Sequence, residues 1–441
     1  MHIDARRSLA AFEARRLDAP GLRHYLEQAL HRPVKTWPLQ SWDFEQLVAA
    51  ADYYSSDLAV ARARLDGAEA AVVSAGARPN PTLSLSPSYD TSSEPGISPW
   101  TLGFTLDVPI ETAGKRGYRI AEARQLANAA TLAVASVAWQ IRARLRDSLV
   151  QLQAAERSQQ ILSRQLAAGS EAARLLSDRL QVGQASATEV EVVRIAADRS
   201  ALQLQDAQGQ TAQVRLAVAG ALGVPEAALD RIQLNLASLE RLPKPRQAAP
   251  SQEQALLDRT DVLGALADYQ ASDSALRLQI ARQYPDLDIG PGFSHGYTAR
   301  DLENSLTIGV SLTLPILNHN QGPIAEAAAR RREAAANFNA VQARAVAQVD
   351  AALDRYRSSL AKLDTADHLL AEQRTRMTSV QALFDAGETD RLTLAQGRSE
   401  LATDELARLQ AFTQAQLALG ALESAMQRVP SASGTQSPQH P

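Results

Sequence analysis

Thr101-Leu102-Gly103-Phe104-Thr105-Leu106-Asp107-Val108-Pro109-Ile110 and Thr307-Ile308-Gly309-Val310-Ser311-Leu312-Thr313-Leu314-Pro315-Ile316 are two versions of one stretch. Each alternates apolar residues with small or polar ones and ends in Pro-Ile. Each then makes a short polar turn and runs into a long Ala-rich segment. Period-two alternation over about ten residues marks a strand with one apolar and one polar face. Aligned at an offset of about 206, then about 204 past the turn, the two halves match over most of the chain. Such a repeat implies one structure built twice rather than a string of unrelated domains.

Working outward, each of these strands has a partner just upstream. Leu83, Leu85 and Tyr89 alternate with Thr and Ser, and a second pair is expected at 287–296 and 305–316. Downstream, Arg119 to about Gln181 contains no proline and one glycine, Gly169. Its helix would be roughly 90 Å long, the scale of a coiled coil. The stripe Val134, Val137, Ile141, Leu145, Leu149, Leu152 is matched by Phe338, Val341, Ala345, Val349, Leu353, Tyr356 in a second long helix, from about Ile324 to Phe384. Gly183 and Gly387 stop these helices, and return helices follow from Thr188 to about Gly220 and from Arg391 to about Gln427. Upstream, one helix is expected across 42–77, ended by Arg78-Pro79-Asn80-Pro81, and a short one from Leu22 to His31, closed by Pro33 and Pro38.

The division that follows is an N-terminal extension (1–41), repeat one (42–223), a connection (224–250), repeat two (251–428, its first residues near Gln252) and a Ser/Pro/Gln-rich tail (429–441) expected to be disordered. The fold class is mainly α with β: antiparallel coiled-coil hairpins plus four strands per chain, internally duplicated. Four two-faced strands cannot close a barrel alone, and open edges are a liability in water. Three copies would bring twelve strands. Apolar-out, polar-in strands of about ten residues have the length and pattern of an outer-membrane barrel. A small soluble β-domain on a coiled coil is the competing explanation.

Composition excludes several classes. The 441 residues include no cysteine, so disulfides, thiol catalysis and Cys-ligated zinc are absent. Net charge is −4, which gives no footprint for nucleic acid. No apolar run reaches the length of a transmembrane helix. The seven histidines (His2, His24, His31, His295, His319, His368, His440) are scattered, so neither a metal site nor any cofactor is expected. No catalytic triad order, phosphate loop or HExxH motif occurs, so no enzyme activity is expected. The segment Met1–Pro20 is Arg-rich without an apolar core and does not read as a secretory leader. An exported protein would then carry its leader upstream of Met1.

Taken together, the duplication, Arg78-Pro79-Asn80-Pro81, the Pro-Ile strand ends, Leu180-Gln181-Val182-Gly183, Phe384-Asp385-Ala386-Gly387 and Arg259-Thr260-Asp261-Val262 resemble the TolC-type outer-membrane efflux protein family. The last of these has Thr260 where the family pattern has Pro. The segment Val108 to Arg116 is similar to the cobalt-zinc-cadmium branch that handles heavy-metal cations. The resemblance implies a homotrimer with a twelve-stranded barrel in outer-membrane lipid and an α-helical tunnel in the periplasm. It also implies a periplasmic adaptor, an inner-membrane pump, often of the resistance-nodulation-division type, and no nucleic acid partner. It places the periplasmic entrance at the hairpin tips, with Glu189, Glu388, Asp390 and Thr393 at the aperture and Gly183, Gly387, Leu180 and Phe384 at the turns and adaptor contact. A ring of carboxylates there would favour cations; plain helix-start acids are the alternative. Drug efflux, type I secretion and a non-channel coiled-coil scaffold remain alternative functions.

Overall fold

A computed structural model describes residues 4–91, 98–244, 257–297 and 302–428. The tail (429–441), the start of repeat two near Gln252 and residues 245–250 of the connection lie outside the described residues. The helices are α1 (Ala5–Glu13), α2 (Pro20–Ala29), α3 (Phe44–Tyr54), α4 (Ser56–Ala75), α5 (Lys115–Gln181), α6 (Ala187–Leu222), α7 (Thr260–Ala281), α8 (Gln321–Asp385) and α9 (Arg391–Met426). The strands are β1 (Ser41–Asp43), β2 (Thr82–Tyr89), β3 (Trp100–Ile110), β4 (Gln233–Asn235), β5 (Leu287–Tyr297) and β6 (Leu302–Leu312). Contacts divide the chain into two units: Met1–Ala59 with Ala135–Arg259 and Arg344–Pro441, and Val60–Val134 with Thr260–Ala343.

The second unit holds an antiparallel sheet in the order β2-β3-β5-β6. Register puts Leu106, Phe104 and Leu102 beside Leu83, Leu85 and Pro87, and Phe293 beside Phe104 and Leu306. One face is therefore mainly apolar, broken by His295 and Asn304, which pair with each other at 2.8 Å, and its Leu83, Leu85, Leu306, Ile308 and Val310 are exposed. The other face carries Thr, Ser, Gly and the carboxylates Asp107, Asp288 and Glu303. Tyr89 and Trp100 stack edge to face at one end of the β2–β3 pair, with ring centroids 5.1 Å apart.

Proline position explains where the two copies differ. Beyond Asp107, opposite Thr82, β3 has no β2 neighbour, so it runs on through Pro109 while pairing with Asp288. The second Pro-Ile, expected to end a strand, lies outside one: β6 stops at Leu312, opposite Leu287 where β5 begins, and Pro315-Ile316 falls in the following loop. Pro291 sits inside β5, and the β3–β5 ladder skips the positions around it, since proline has no N–H to give.

The turn after β3 is fastened in place. Lys115, nearly buried, donates to Tyr284 O and Asp286 Oδ1, both at 2.7 Å, and Thr112 N donates to Asp286 Oδ1 at 2.8 Å. Arg119 grips Glu111, and Arg116 and Arg119 donate to the carbonyls of Gly76, Ala75 and Ala77. Those are the free carbonyls at the C-terminus of α4, whose acceptors a helix end leaves unpaired. Several residues of the segment that resembles the metal branch, Glu111, Thr112, Lys115 and Arg116, thus have structural work.

In the first unit the expected stripes are the packing seams. Ile141, Leu145, Leu149 and Leu152 are buried, as are Ala345, Val349 and Tyr356. Val349, Ala352 and Tyr356 of α8 pack on Ala418, Leu419, Leu422 and Met426 of α9. The helix expected across 42–77 is two, α3 and α4, because Ser55 is extended and its hydroxyl caps Leu58 N at 3.1 Å. Asp43 and Gln46 form a capping box at the start of α3. Two features have no counterpart in the sequence reading: α1, and the parallel pairing of β1 with β4, which buries Trp42 completely. Arg15 fixes this region by donating to Tyr54 O and Gly223 O at 3.0 and 2.7 Å. Arg259, buried, donates to Ala425 O at 2.6 Å and Gln348 Oε1 at 2.9 Å, so the turn into repeat two caps the end of α9.

Candidate functional site: the two hairpin tips

Both tips close in the same way. Gly183 (φ 75°) and Gly387 (φ 77°) adopt the left-handed conformation that favours glycine. At the first tip Gly183 N reaches Leu180 O at 3.0 Å and Gln184 N reaches Arg179 O at 2.8 Å. At the second, Gly387 N reaches Phe384 O at 3.0 Å and Glu388 N reaches Leu383 O at 2.8 Å. These paired bonds satisfy the last helical carbonyls in each case. Leu180 and Phe384 hold matching places one turn before the glycine. Leu180 is exposed and Phe384 half-buried.

The return helices start with the same two chemical groups in exchanged positions. At α6 the cap is Ser186 and the acid is Glu189: Ser186 N and Oγ donate to Glu189 Oε2 at 2.7 and 2.9 Å, and Glu189 N donates back to Ser186 Oγ at 3.2 Å. At α9 the cap is Asp390 and the hydroxyl is Thr393: Thr393 N and Oγ1 donate to Asp390 Oδ1 at 2.8 and 2.9 Å. Both carboxylates are held ionised. The Ser186 N–H, then its hydroxyl, lowers the pKa of Glu189. The Thr393 N–H, followed by the Arg179 guanidinium, brings Asp390 down to about 2.

The exchange frees the second oxygen of Asp390. It accepts a charged hydrogen bond from Arg179 Nη2, on the last turn of α5. A second tie runs the same way, Arg391 Nε to Glu171 Oε1 at 2.6 Å. Ala172 and Leu176 of α5 meet Leu392 and Ala395 of α9 just behind these pairs. Glu388 is exposed and, among the described residues, its side chain has no hydrogen-bond or ion-pair partner. Of the residues proposed at the aperture, Asp390 and Thr393 touch each other, Glu189 serves the other tip and Glu388 stands free.

Sequence reasoning passed over Arg179, Glu171 and Arg391, yet a signal was present. At the repeat offset they correspond to Leu383, Thr375 and Ala187, so each breaks the match between the halves. Here three residues that depart from the internal repeat join its copies.

Replacing Asp390 with Asn keeps the cap and removes the charge from the Arg179 pair. Both partners are more than a third exposed, so the loss should be at most about 1 kcal/mol. Faster amide exchange confined to the start of α9 is the expected readout. The sign with pH follows from the depressed pKa: the tie is at full strength above the ordinary carboxylate pKa and is lost only as pH falls toward about 2. Exchange at this tip should therefore be independent of pH from 5 to 8 once the intrinsic rate is removed.

Sequence profiles of outer membrane efflux proteins match residues 48–224 and 252–427, most of the chain and once for each repeat. The chain belongs to the outer membrane efflux protein family. Its place is the outer membrane, with a helical extension in the periplasm, and as a family member it is a channel rather than an enzyme. The chain is 26% identical over 267 residues to the cobalt-zinc-cadmium resistance protein CzcC of Cupriavidus metallidurans, covering 60% of this chain and 61% of that relative. It is also 26% identical over 367 residues to the pyoverdine export outer membrane protein OpmQ of Pseudomonas aeruginosa, covering 79% of this chain and 75% of the relative. The fold of this outer membrane efflux protein is that of CusC (TM-score 0.69, 19% identity, 87% of this chain and 91% of the other). It is equally that of VceC from Vibrio cholerae (TM-score 0.69, 18% identity, 87% and 95%). No helix among the described residues is long and apolar enough to cross a membrane.

Proposed function

We propose that three copies of this chain form the exit duct of a tripartite efflux pump, joined to a periplasmic adaptor and an inner-membrane pump of the resistance-nodulation-division type. The observation that carries this reading is the four-stranded sheet whose outer strands have no further strand partner among the described residues, and whose one face is apolar except for the hydrogen-bonded pair His295 and Asn304. Three such sheets joined edge to edge make a closed, lipid-facing wall of twelve strands, and closure removes every free edge. The repeat boundaries 42–223 and 251–428 define the two halves that each copy contributes. The tips form the periplasmic entrance: Glu189, Asp390 and the unpaired Glu388 line the aperture, Thr393 holds Asp390 in position, and Gly183, Gly387, Leu180 and Phe384 shape the surface met by the adaptor.

For cargo we favour heavy-metal cations, on the likeness to the cobalt-zinc-cadmium resistance protein and on the segment Val108 to Arg116. Export of an organic molecule is the second reading, favoured by the longer match to the pyoverdine exporter. Deleting the gene in a host with an intact partner pump should lower tolerance to cobalt, zinc or cadmium by several-fold in growth assays. Unchanged metal tolerance together with lost export of a siderophore or drug would replace the first reading with the second.

A further inference from the structure

Far along the chain from the tips, α5 and α9 enclose a group of charges that the channel reading does not use. Arg146 stands in the middle of the apolar seam between Leu145 and Leu149, with its side chain 4% exposed. It donates to Gln416 O at 2.6 Å and Gln416 Oε1 at 3.0 Å, and its Nε meets Glu423 Oε2 at 3.2 Å. Gln416 is itself buried and passes its amide to Arg241 O at 3.2 Å. The neighbouring Asp147 also points toward α9. A Cβ at Gly420 would fall 2.5 Å from Arg146 Nη1 and 2.9 Å from Asp147 Oδ1, so the guanidinium and the carboxylate lie together over a helix surface bared by glycine.

The charges do not balance. From α3 comes Glu45, from α5 come Arg142, Arg146 and Asp147, from α8 comes Tyr356, and from α9 comes Glu423. Arg142 is committed to Glu45 through two bonds of 3.0 and 2.9 Å. Tyr356 gives its hydroxyl to Pro243 O at 2.6 Å. That leaves Arg146 as the cation in contact with Glu423 and beside Asp147, with Arg142 acting on Glu423 from further off, so two cations face three carboxylates. Asp147 Oδ1 is buried without a hydrogen-bond partner. A buried carboxylate oxygen with no donor is costly while ionised and inexpensive once the group is neutral.

We propose that this cluster is a proton-binding site: Asp147 and Glu423 share one proton above the single guanidinium of Arg146, and the proton fastens α9 to α5. The proton comes from water and neutralises one carboxylate, leaving Arg146 with one full counter-charge. Burial raises the pKa of both acids, with Arg146 acting against it at both and Arg142 at Glu423. A raised carboxylate pKa stabilises the folded protein at low pH and loses that effect as pH rises through the folded value. The α5–α9 joint should thus be firmer in mildly acidic surroundings than in alkaline ones.

Infrared spectra of the purified full-length protein test this directly. A carboxylic-acid C=O band should be present at pH 6 and fade as pH is raised, at values above the ordinary carboxylate range. Part of the band should be lost in Asp147→Asn or in Glu423→Gln, whichever variant folds. Thermal unfolding of Asp147→Asn should also vary less with pH than that of the unaltered protein. Absence of any such band at pH 6, or a band undiminished in both variants, would overturn the proposal.

Discussion

Ile308→Arg should prevent the protein from reaching the outer membrane in folded form, while Thr307→Arg, one residue away, should leave assembly intact. Ile308 is near the middle of β6, on the apolar face and 73% exposed. A cation on the lipid side of a barrel strand costs about 2–4 kcal/mol at mid-depth. Three copies multiply that cost threefold in one assembly. Thr307 lies on the opposite face, with Ser305 and Ser311, where an arginine would meet water. Heat-modifiable migration in membrane extracts measures folded protein for both variants. Equal loss from the two would mean that the alternation does not divide lipid from water.

Arg146→Met is the second large effect. It removes the cation from beside Glu423 and Asp147, takes one of two donors from the Gln416 carbonyl, and leaves the Gln416 side-chain oxygen without its donor. Breaking a buried ion pair by deleting one partner costs about 3–5 kcal/mol, well above the price of the lost attraction alone, because the remaining charge stays buried. The midpoint of thermal unfolding should fall by several degrees, and the fall should be larger at pH 8 than at pH 6, where a proton can replace the missing cation. A variant with unchanged stability at pH 8 would show that water reaches the cluster.

The fold was readable because its two periodicities are clean. Leu102, Phe104, Leu106 and Val108 never miss a beat of two, and Ile141, Leu145, Leu149 and Leu152 keep to steps of three and four. The duplication supplied each pattern twice. What escaped was set by contacts between distant residues. Ser41–Asp43 is too short to announce a strand, and only its partner 233–235 makes it one. The break at Ser55 depends on a single extended residue inside an otherwise helical pattern. At the site, the glycines of the tips were readable from helix-stop chemistry and the acids from the family resemblance, whereas Arg179 was not readable, because its partner lies 211 positions away. Arg146 was hidden for a different reason: a buried cation inside an apolar stripe reads as one exposed residue between two core ones.

Exchanging Ser186 and Glu189 for Asp390 and Thr393 has a consequence for symmetry. Six hairpins around one axis could be made by six identical small subunits, but every corner of such a hexagon would be alike. Fusing two copies of an ancestral half into one chain lets alternate corners drift apart. One set of three can be tethered to its neighbours by Arg179 while the other keeps its acid folded into its own helix. The ring then has two classes of corner that selection can tune separately, a freedom that gene duplication grants and strict sixfold repetition forbids.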